Sequence, residues 1–371
     1  MASTEGSVLV TGANGGLASD IVKRILSSPS HAQDYHGLYT VRKVESADVV
    51  KKVLRSADKC QHHYDLIALD LSSLESVRKV AADINARVAR GDIPPIRALV
   101  LAAAYQEYGP QSITKDGFDL TFQSTYLSHF LLTLLLLQSM DKEKGRIVVL
   151  GSWTHDTTDP RNKIGPVGQA YAPVKFHQLF SDPEGSTEAI AKGRWSFLAE
   201  DDADTASAGF RRYGVAKLSQ VMMMRELSHR LPTDPTLSHI SVLALDPAAM
   251  MSSLARRSSW LTRVLVLRIV GPVIAPLATW LSPNGGLRTT WKSAGDVVRA
   301  CFGTEEEVLG VGKGGGVREG GRGVNGVYLN GSEVADVGPE AKDEEKGRRL
   351  WRDGVGYAAV REGDTVLVDW R

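Results

Sequence analysis

The chain has 371 residues, 43% of them hydrophobic and 23% charged, with a formal net charge of +1. This composition is typical of a globular protein with an apolar core, and the spread of its cations along the chain argues against nucleic acid binding, which needs a concentrated basic face. Two cysteines, Cys60 and Cys301, are too few for a disulfide framework or a thiolate metal site. Since the N-terminus also lacks a charged-then-apolar targeting pattern, we expect a cytoplasmic protein.

Short aliphatic runs alternate with amphipathic stretches, which predicts βαβ units around a parallel sheet. The predicted strands are Ser7–Thr11, Gly37–Val41, Leu66–Leu69, Ala98–Leu101, Arg146–Leu150, Ile240–Leu245 and Gly326–Leu329. The predicted helices are Ala18–Leu26, Leu74–Val88, Leu127–Met140 and Tyr213–Arg230. We therefore predict an α/β fold, a Rossmann-type doubly wound parallel sheet forming a single domain over residues 1–371, with ligands at the carboxyl ends of its strands.

A glycine-rich turn follows the first predicted strand, in the sequence VLVTGANGGLA. A buried strand that runs into such a turn and then a helix directs backbone N–H groups and the positive helix end at a pyrophosphate. Gly12 permits the tight turn and Gly16 a close backbone approach. The turn residues expected at the cofactor are Thr11, Gly12, Asn14, Gly15, Gly16 and Leu17. The turn predicts nucleotide binding, and a purely structural turn is the alternative.

Two cations, Arg42 and Lys43, follow the second predicted strand. An acidic residue there would accept the ribose 2′-hydroxyl of NAD, whereas cations favour the 2′-phosphate of NADP. We therefore predict NADP(H) as cofactor, with two ordinary surface cations as the alternative. After the third strand, Asp70 and Leu71 are candidates for the adenine edge, unless Asp70 only caps the next helix.

The candidate catalytic group begins with Tyr213 and Lys217, which share one face of a predicted helix because they are four residues apart. A nearby ammonium stabilises a phenolate, so we expect Lys217 to lower the pKa of Tyr213. Ser152 follows the strand RIVVL, where its hydroxyl can bond a substrate oxygen while Tyr213 passes the proton.

These motifs, in this order, resemble the short-chain dehydrogenase/reductase family over roughly residues 7–302, in the branch of fungal biosynthetic, sterol ketone, retinol and protochlorophyllide reductases. The resemblance implies that Ser152 polarises a carbonyl, Tyr213 donates the proton and Lys217 holds the nicotinamide ribose. It also implies a catalytic helix position at Thr125, where the family has asparagine. Further implied cofactor contacts are Ala102, Ala103, Pro247, Ala248 and Ser252. The family's Asn-Ala-Gly is Ala102-Ala103-Ala104 here, its Pro-Gly is Pro247-Ala248, and the third glycine of its turn is Ala18.

Four further segments carry expectations of their own. Residues 155–212 form a substrate-side insertion, and residues 303–371 combine a glycine-rich loop at 310–326 with a C-terminal extension that packs back around Trp351. The apolar stretch Trp260–Leu281 is predicted to be a lid, a buried helix or an oligomer contact, with peripheral membrane docking as the alternative. The leucine-rich run Phe130–Leu137 is expected in the core or at a homodimer seam.

Four histidines carry expectations of their own. We expect His62 and His63 at the surface and His129 as a satisfied core residue. His155, just beyond Ser152, is a candidate to line the substrate pocket. No sequence motif for a metal site occurs.

The predicted function is reversible, NADPH-dependent reduction of a ketone or aldehyde on a bulky, apolar small molecule, such as a polyketide, terpenoid or sterol intermediate of secondary metabolism. Two alternatives stay open. One is a redox-neutral cyclase or epimerase on the same fold, and the other is a catalytically lapsed NADP(H)-binding protein.

Overall fold

The structure, a computed structural model, describes residues 4–163, 165–181, 186–198, 205–250, 271–310 and 323–371. The strands of the described residues are β1 Gly6–Val10, β2 Tyr35–Val41, β3 Tyr64–Ala68, β4 Ile96–Leu101, β5 Arg146–Leu150, β6 Ser241–Asp246, β7 Tyr328–Asn330 and β8 Glu333–Ala335. They form one sheet in the order β3-β2-β1-β4-β5-β6-β7-β8. All neighbours pair in parallel except β7 and β8. The order reverses between β1 and β4, which confirms the Rossmann-type doubly wound fold.

The helices lie between these strands and after them. They are α1 Gly16–Leu26, α2 Pro29–Asp34, α3 Asp48–Leu54, α4 Leu74–Arg90, α5 Leu120–Phe122, α6 Ser128–Leu136, α7 Gly165–Ala170, α8 Thr187–Ala191, α9 Ala206–Arg230, α10 Gly271–Leu281, α11 Thr290–Phe302, α12 Glu305–Leu309 and α13 Glu344–Tyr357. A π-helical turn, Gln123–Leu127, joins α5 to α6.

Both faces of the sheet are covered, which explains the continuously apolar strands. Along β1, Leu9 points into one core cluster while Val8 and Val10 point into the other. The first cluster contains buried side chains of α4, α6 and α9, and the second contains those of α1 and α11. The alternation of side chains along a strand thus divides the core into two layers.

Helix α9 begins at Ala206, seven residues before the predicted start at Tyr213. The reason is the cap residue Thr205, whose hydroxyl accepts a hydrogen bond from the Ala208 N–H at 3.1 Å. The predicted helix over Leu127–Met140 also starts earlier, at Leu120. The predicted helices do not include α2, α3, α7, α8, α11, α12 or α13, and the predicted strands do not include β8.

The apolar segment Leu120–Ser139 is long and apolar enough to cross a membrane, but 94% of it is buried within the chain. All residues of the leucine-rich run Phe130–Leu137 are buried against the rest of the protein. The core interpretation of this run is therefore confirmed, and the dimer-seam interpretation is wrong.

The C-terminal extension packs against the body, as expected. Trp351 is 1% exposed, and its indole N–H donates to the Trp370 carbonyl at 2.8 Å. Its ring meets Phe130 edge to face, with 5.0 Å between the ring centroids. The extension therefore completes the core over α6.

The surface expectation for His62 is wrong. Its ring is 4% exposed and lies 2.8 Å from the Tyr39 hydroxyl and 2.9 Å from the Ala32 carbonyl. These two partners satisfy both ring nitrogens, so burial leaves neither unpaired. His63 is exposed, as expected.

Three predicted segments fall partly outside the described residues. Of the insertion 155–212, these are residues 164, 182–185 and 199–204. Of Trp260–Leu281, the structure describes α10, and the earlier residues lie outside it. The α10 side chains of Ile274, Leu277, Trp280 and Leu281 are exposed. Of the glycine-rich loop, residues 311–322 also lie outside the described part of the chain.

Candidate active site

A cavity of about 300 Å³ opens at the carboxyl ends of the central strands, where the sheet order reverses. Thirteen of the predicted site residues line it: Gly12, Asn14, Gly15, Gly16, Leu17, Arg42, Lys43, Leu71, Ala102, Ala103, Tyr213, Lys217 and Pro247. A larger cavity, about 660 Å³, lies at the opposite edge beside Arg97 and Arg146 and contains none of them. The smaller cavity is therefore the candidate active site.

The glycine turn has the geometry that a close phosphate approach requires. Gly12 has a φ of +67°, and a Cβ there would lie 2.9 Å from the Cβ of Ala103. The Gly15 N–H donates to the Gly12 carbonyl at 2.8 Å, and α1 begins at the next residue. The turn and the helix N-terminus together form an anion-binding surface at one end of the cavity.

Thr11 braces the ends of β1 and β4. Its hydroxyl oxygen accepts hydrogen bonds from the Ala102 N–H at 2.9 Å and the Ala103 N–H at 3.0 Å. The run Ala102-Ala103-Ala104 lacks the asparagine amide expected from the family resemblance. The Thr11 hydroxyl provides a tie between the two strand ends instead.

The segment carrying Arg42 and Lys43 is tied to the glycine turn by Asn14. The Asn14 side-chain oxygen accepts from the N–H groups of Val49 and Val50, at 3.0 and 3.2 Å, and so caps the start of α3. Arg42 and Lys43 are exposed at the mouth of the cavity. This is where a 2′-phosphate would need cations.

Asp70 lies outside the cavity lining. Its carboxylate accepts from the N–H and hydroxyl of Ser72, at 2.9 and 2.7 Å, and forms a turn before α4. Its Oδ1 is 3.9 Å from the Arg42 Nε, and both side chains are about half exposed, so this ion pair is weak. The turn-forming role is observed, and the adenine contact stays a prediction.

Tyr213 and Lys217 come together as predicted. Both line the cavity, and the Lys217 Nζ lies 5.6 Å from the centroid of the Tyr213 ring. Nζ donates to the Leu150 carbonyl at 2.7 Å and to the Gln220 side-chain oxygen at 2.9 Å. An ammonium has three N–H donors, so two acceptors of the protein leave one donor for a ligand.

The expectation that Lys217 lowers the pKa of Tyr213 is wrong for these protein groups by themselves. Burial raises the pKa of Tyr213, and the nearby Tyr108 and Asp246 raise it further. Burial also lowers the pKa of Lys217 to about 7, against the attraction of Asp246. Loss of hydration disfavours both charged forms, and this effect exceeds the attraction between phenolate and ammonium.

Ser152 has its two acceptor positions filled by one neighbour. Its hydroxyl oxygen accepts from the Thr154 N–H at 3.3 Å and from the Thr154 hydroxyl at 3.0 Å. A serine hydroxyl has one donor and two acceptor positions, so the Ser152 O–H stays available as a donor. Ser152 directly follows Gly151, which lines the cavity, although Ser152 itself is not among the lining residues.

Three positions that the resemblance implies, Thr125, Ala248 and Ser252, do not line the cavity in the described part of the chain. The Thr125 hydroxyl accepts from the Tyr105 N–H at 3.2 Å and lies outside the cavity lining. Ala248 has a φ of +64°, a left-handed conformation that explains why glycine is the family's residue there. Ser252 lies outside the described residues.

His155 does not line the cavity. Its Nε2 accepts from the Gly338 N–H at 2.9 Å, and its Nδ1 lies 2.6 Å from the Ser152 carbonyl oxygen. It therefore connects the end of β5 to the C-terminal extension.

Sequence reasoning missed several lining residues: Thr40, Ser46, Leu69, Tyr105, Ser124, Gly151 and Met250. Within the described residues, the buried Ser124 hydroxyl has no hydrogen-bond partner. Ser124 lies in the π-helical turn, which places it differently from an α-helix and which no sequence period indicates. Thr40 could have been found from its position at the end of a predicted strand.

The insertion reaches the site through a buried carboxylate. Asp246, at the end of β6, is 1% exposed, and the Arg161 guanidinium lies 3.3 Å from its Oδ2. Arg161 in turn stacks 4.6 Å from the Trp153 ring centroid. The negative charge of Asp246 acts on both Tyr213 and Lys217.

Comparisons with known proteins agree with this geometry. Residues 7–163 match the family model described as short chain dehydrogenase. The chain is 53% identical over 377 residues to the short-chain dehydrogenase iccH of Talaromyces variabilis, covering 99% of each protein. It is 27% identical to human retinol dehydrogenase 13, covering 96% of this chain and 87% of the relative.

Solved structures show the same fold at lower identity. NADPH-bound carbonyl reductase from chicken fatty liver matches with a TM-score of 0.52 and 14% identity, covering 90% of this chain and 100% of that one. The angucycline C-6 ketoreductase LanV with bound NADP matches with a TM-score of 0.53 and 16% identity, covering 89% and 96%.

Fold and site together define a dinucleotide-binding oxidoreductase of the doubly wound class. The chain belongs to the short-chain dehydrogenase family.

Proposed function

We propose that this protein uses NADPH to reduce a ketone or aldehyde on an apolar small molecule. The observation that carries the proposal is the convergence of Tyr213 and Lys217 in the cavity that the glycine turn also lines. NADPH is favoured over NADH by Arg42 and Lys43 at the cavity mouth, and related folds have been solved with NADPH or NADP bound.

The raised pKa of Tyr213 suits it to proton donation. Burial keeps the phenol protonated at neutral pH, so it can give its proton to an oxygen on which negative charge develops. The Ser152 O–H would donate to the same oxygen. When bound, the reduced nicotinamide supplies the hydride. The carbonyl carbon gains the hydride and its oxygen gains the Tyr213 proton, which leaves an alcohol and a phenolate.

Lys217 would then return a proton to Tyr213. Its pKa of about 7 means that the ammonium and amine forms are both populated near neutral pH. Proton transfer from the ammonium to the phenolate restores the phenol, and solvent reprotonates the amine. Reduction should therefore slow above neutral pH, where Lys217 loses its proton.

The substrate class is inferred from the residues beside the reacting centre. Leu150, Tyr105 and Met250 line the cavity, and the apolar stretch Trp260–Leu281 begins ten residues after Met250. These side chains suit a bulky apolar carbonyl compound, such as a polyketide, terpenoid or sterol intermediate. Products of a substrate screen, identified by mass, test this class.

Substitution of Tyr213 by phenylalanine tests the mechanism. Tyr213→Phe should lower ketone reduction by about a thousandfold while leaving NADPH affinity nearly unchanged, because general acid catalysis contributes about 10²–10⁴-fold. NADPH absorbance and NADPH fluorescence titration measure the two quantities.

Tyr171→Phe is the matched control, since Tyr171 is a buried tyrosine that donates to the Phe210 carbonyl outside the cavity lining. It should keep nearly full activity. Normal reduction by Tyr213→Phe would exclude the mechanism, and a product of unchanged oxidation state would instead identify a cyclase or epimerase. NADPH binding without turnover on a broad ketone panel would identify a lapsed enzyme.

We also propose a cytoplasmic location, supported by two cysteines that are both unpaired. The apolar side chains of α10 are exposed, which is consistent with a contact either with a membrane or with a second copy of the chain. Cell fractionation and the oligomeric state in solution test these proposals.

A further inference from the structure

Lys217 belongs to a buried polar network that reaches far beyond the cavity. Lys217 bonds the Leu150 carbonyl and the Gln220 side chain, the Gln220 amide lies against the His129 ring, and His129 bonds Thr11 at the glycine turn. Of these, Lys217 is 2% exposed, and Gln220, His129 and Thr11 are each 0% exposed. Buried polar groups of this kind have to be mutually satisfied, so their arrangement is fixed.

Gln220 is one turn beyond Lys217 on α9, on the same helix face. Its side-chain oxygen accepts from the Lys217 Nζ at 2.9 Å. Its side-chain nitrogen lies 3.3 Å from the His129 Nδ1. Because an ammonium can only donate, the amide presents its oxygen, and not its nitrogen, to the lysine.

His129 is held by α6 and by the glycine turn. Its Nδ1 lies 2.9 Å from the Thr125 carbonyl oxygen, and its Nε2 lies 3.0 Å from the Thr11 hydroxyl. The Thr11 oxygen already accepts two backbone N–H groups, so its own O–H donates to Nε2, and the proton of the ring is on Nδ1. Burial lowers the pKa of His129 to about 4, so the ring is neutral and adds no second positive charge near Lys217.

We propose that Gln220 is the positioning residue that fixes the Lys217 ammonium beside Tyr213. The effect of Gln220 on catalysis rests on the proposed function, whereas its contact with Lys217 rests on the hydrogen bonds described above. Thr125 does not fill this role with its hydroxyl, which accepts from the Tyr105 N–H. Gln220 is thus the side-chain acceptor of Lys217 in the described part of the chain.

The groups around Lys217 determine what a change at Gln220 does. Tyr213 lies beside it on α9, neutral His129 faces it from α6, and the Asp246 carboxylate acts on it from β6. Gln220 contributes no charge, but its oxygen stabilises the ammonium more than the amine. Removal of this acceptor should therefore lower the pKa of Lys217, and a carboxylate in its place should raise it.

The test is a titration of Lys217 in the intact protein, with the ¹³Cε resonance of labelled lysine assigned by its loss in Lys217→Met. Gln220→Leu should move the titration midpoint down by about one pH unit, which corresponds to about 1.4 kcal/mol. Gln220→Glu should move it up. In the reduction assay, the alkaline limb of kcat/KM should shift in the same two directions.

Ser219→Ala is the matched control, because Ser219 is equally buried on α9 but, among the described residues, its hydroxyl bonds only its own helix, at the Val215 carbonyl. Its midpoint should equal that of the unmodified protein. If Gln220→Leu does not fold, Gln220→Asn, whose amide is one methylene shorter, should also lower the midpoint. Unchanged midpoints, or shifts of the same sign in the leucine and glutamate variants, would overturn the inference.

The titration needs no substrate, so it separates this inference from the proposed function. If the Lys217 midpoint shifts as expected in the two Gln220 variants but Tyr213→Phe keeps full activity, only the proposed function is rejected. Unchanged midpoints together with an inactive Tyr213→Phe would reject only the role of Gln220.

Discussion

The N-terminal region, residues 4–71, and the insertion, residues 155–212, face the same site but are built differently. In the N-terminal region the functional groups are the backbone N–H groups of one turn, and Asn14 connects this turn to Val49 and Val50, fewer than forty residues away. The insertion is held by side chains that pair with distant parts of the chain. Arg161 meets Asp246, and Arg212 meets Glu107 and Asp119.

This difference shows how each region tolerates change. A turn formed by backbone geometry is sensitive to any added Cβ and insensitive to most distant substitutions. A region held by buried ion pairs is sensitive to the loss of one partner, because the other is left charged without compensation. Substitutions in the insertion should therefore reduce stability, and substitutions in the turn should reduce cofactor binding.

The largest effect is expected at Arg212, which is 2% exposed between the carboxylates of Glu107 and Asp119. Burial already raises the pKa of both carboxyl groups. Arg212→Met should lower the free energy of unfolding by about 3–5 kcal/mol, because it leaves two buried acids without their cation. Denaturant unfolding measures the change.

The buried carboxyl groups of Glu107 and Asp119 also determine how the stability loss in Arg212→Met depends on pH. Protonation neutralises them, so the loss in Arg212→Met should be smaller at pH 5 than at pH 8. Arg194→Met is the control, since its ion pair with Glu188 is exposed and should cost no more than about 1 kcal/mol. Equal losses in the two variants would contradict the inference that buried ion pairs hold the insertion.

An intermediate effect is expected at Gly12. Gly12→Ala should weaken NADPH binding at least about a hundredfold, because the new Cβ would meet Ala103 in a left-handed backbone conformation. Gly91→Ala has a comparable φ of +76° with nothing within 4 Å of its Cβ, so it measures the backbone cost alone. Fluorescence titration should show normal NADPH affinity in Gly91→Ala, and a normal affinity in Gly12→Ala would show that the turn does not approach the cofactor.

The smallest effect is expected at the cavity mouth, where the cations are exposed. Changing Arg42 to aspartate and Lys43 to serine should reduce the preference for NADPH over NADH by about ten- to a hundredfold, as charge-assisted hydrogen bonds to phosphate are lost. Arg55→Ser, an exposed cation outside the cavity lining, should leave the preference unchanged. An unchanged ratio of the two dissociation constants in the double variant would reject the assignment of NADPH.

Much of the fold could be predicted from the sequence, but its boundaries could not. The seven predicted strands all exist, because continuous aliphatic runs indicate buried strands without reference to the rest of the chain. The start of α9 was missed because it depends on the Thr205 cap within a polar segment. The burial of His62 was missed because Tyr39 and Ala32, which bond it, are distant in sequence.

The sequence by itself determined the glycine turn after β1 and the pairing of Tyr213 with Lys217, since helix periodicity places residues four apart on one face. Only the tertiary structure decided how those groups behave. Burial raised the pKa of Tyr213 and lowered that of Lys217, and packing of α6 against α9 brought His129 to Gln220. Local spacing fixes which side chains share a face, whereas loss of hydration and contacts across some ninety residues exist only in the folded chain.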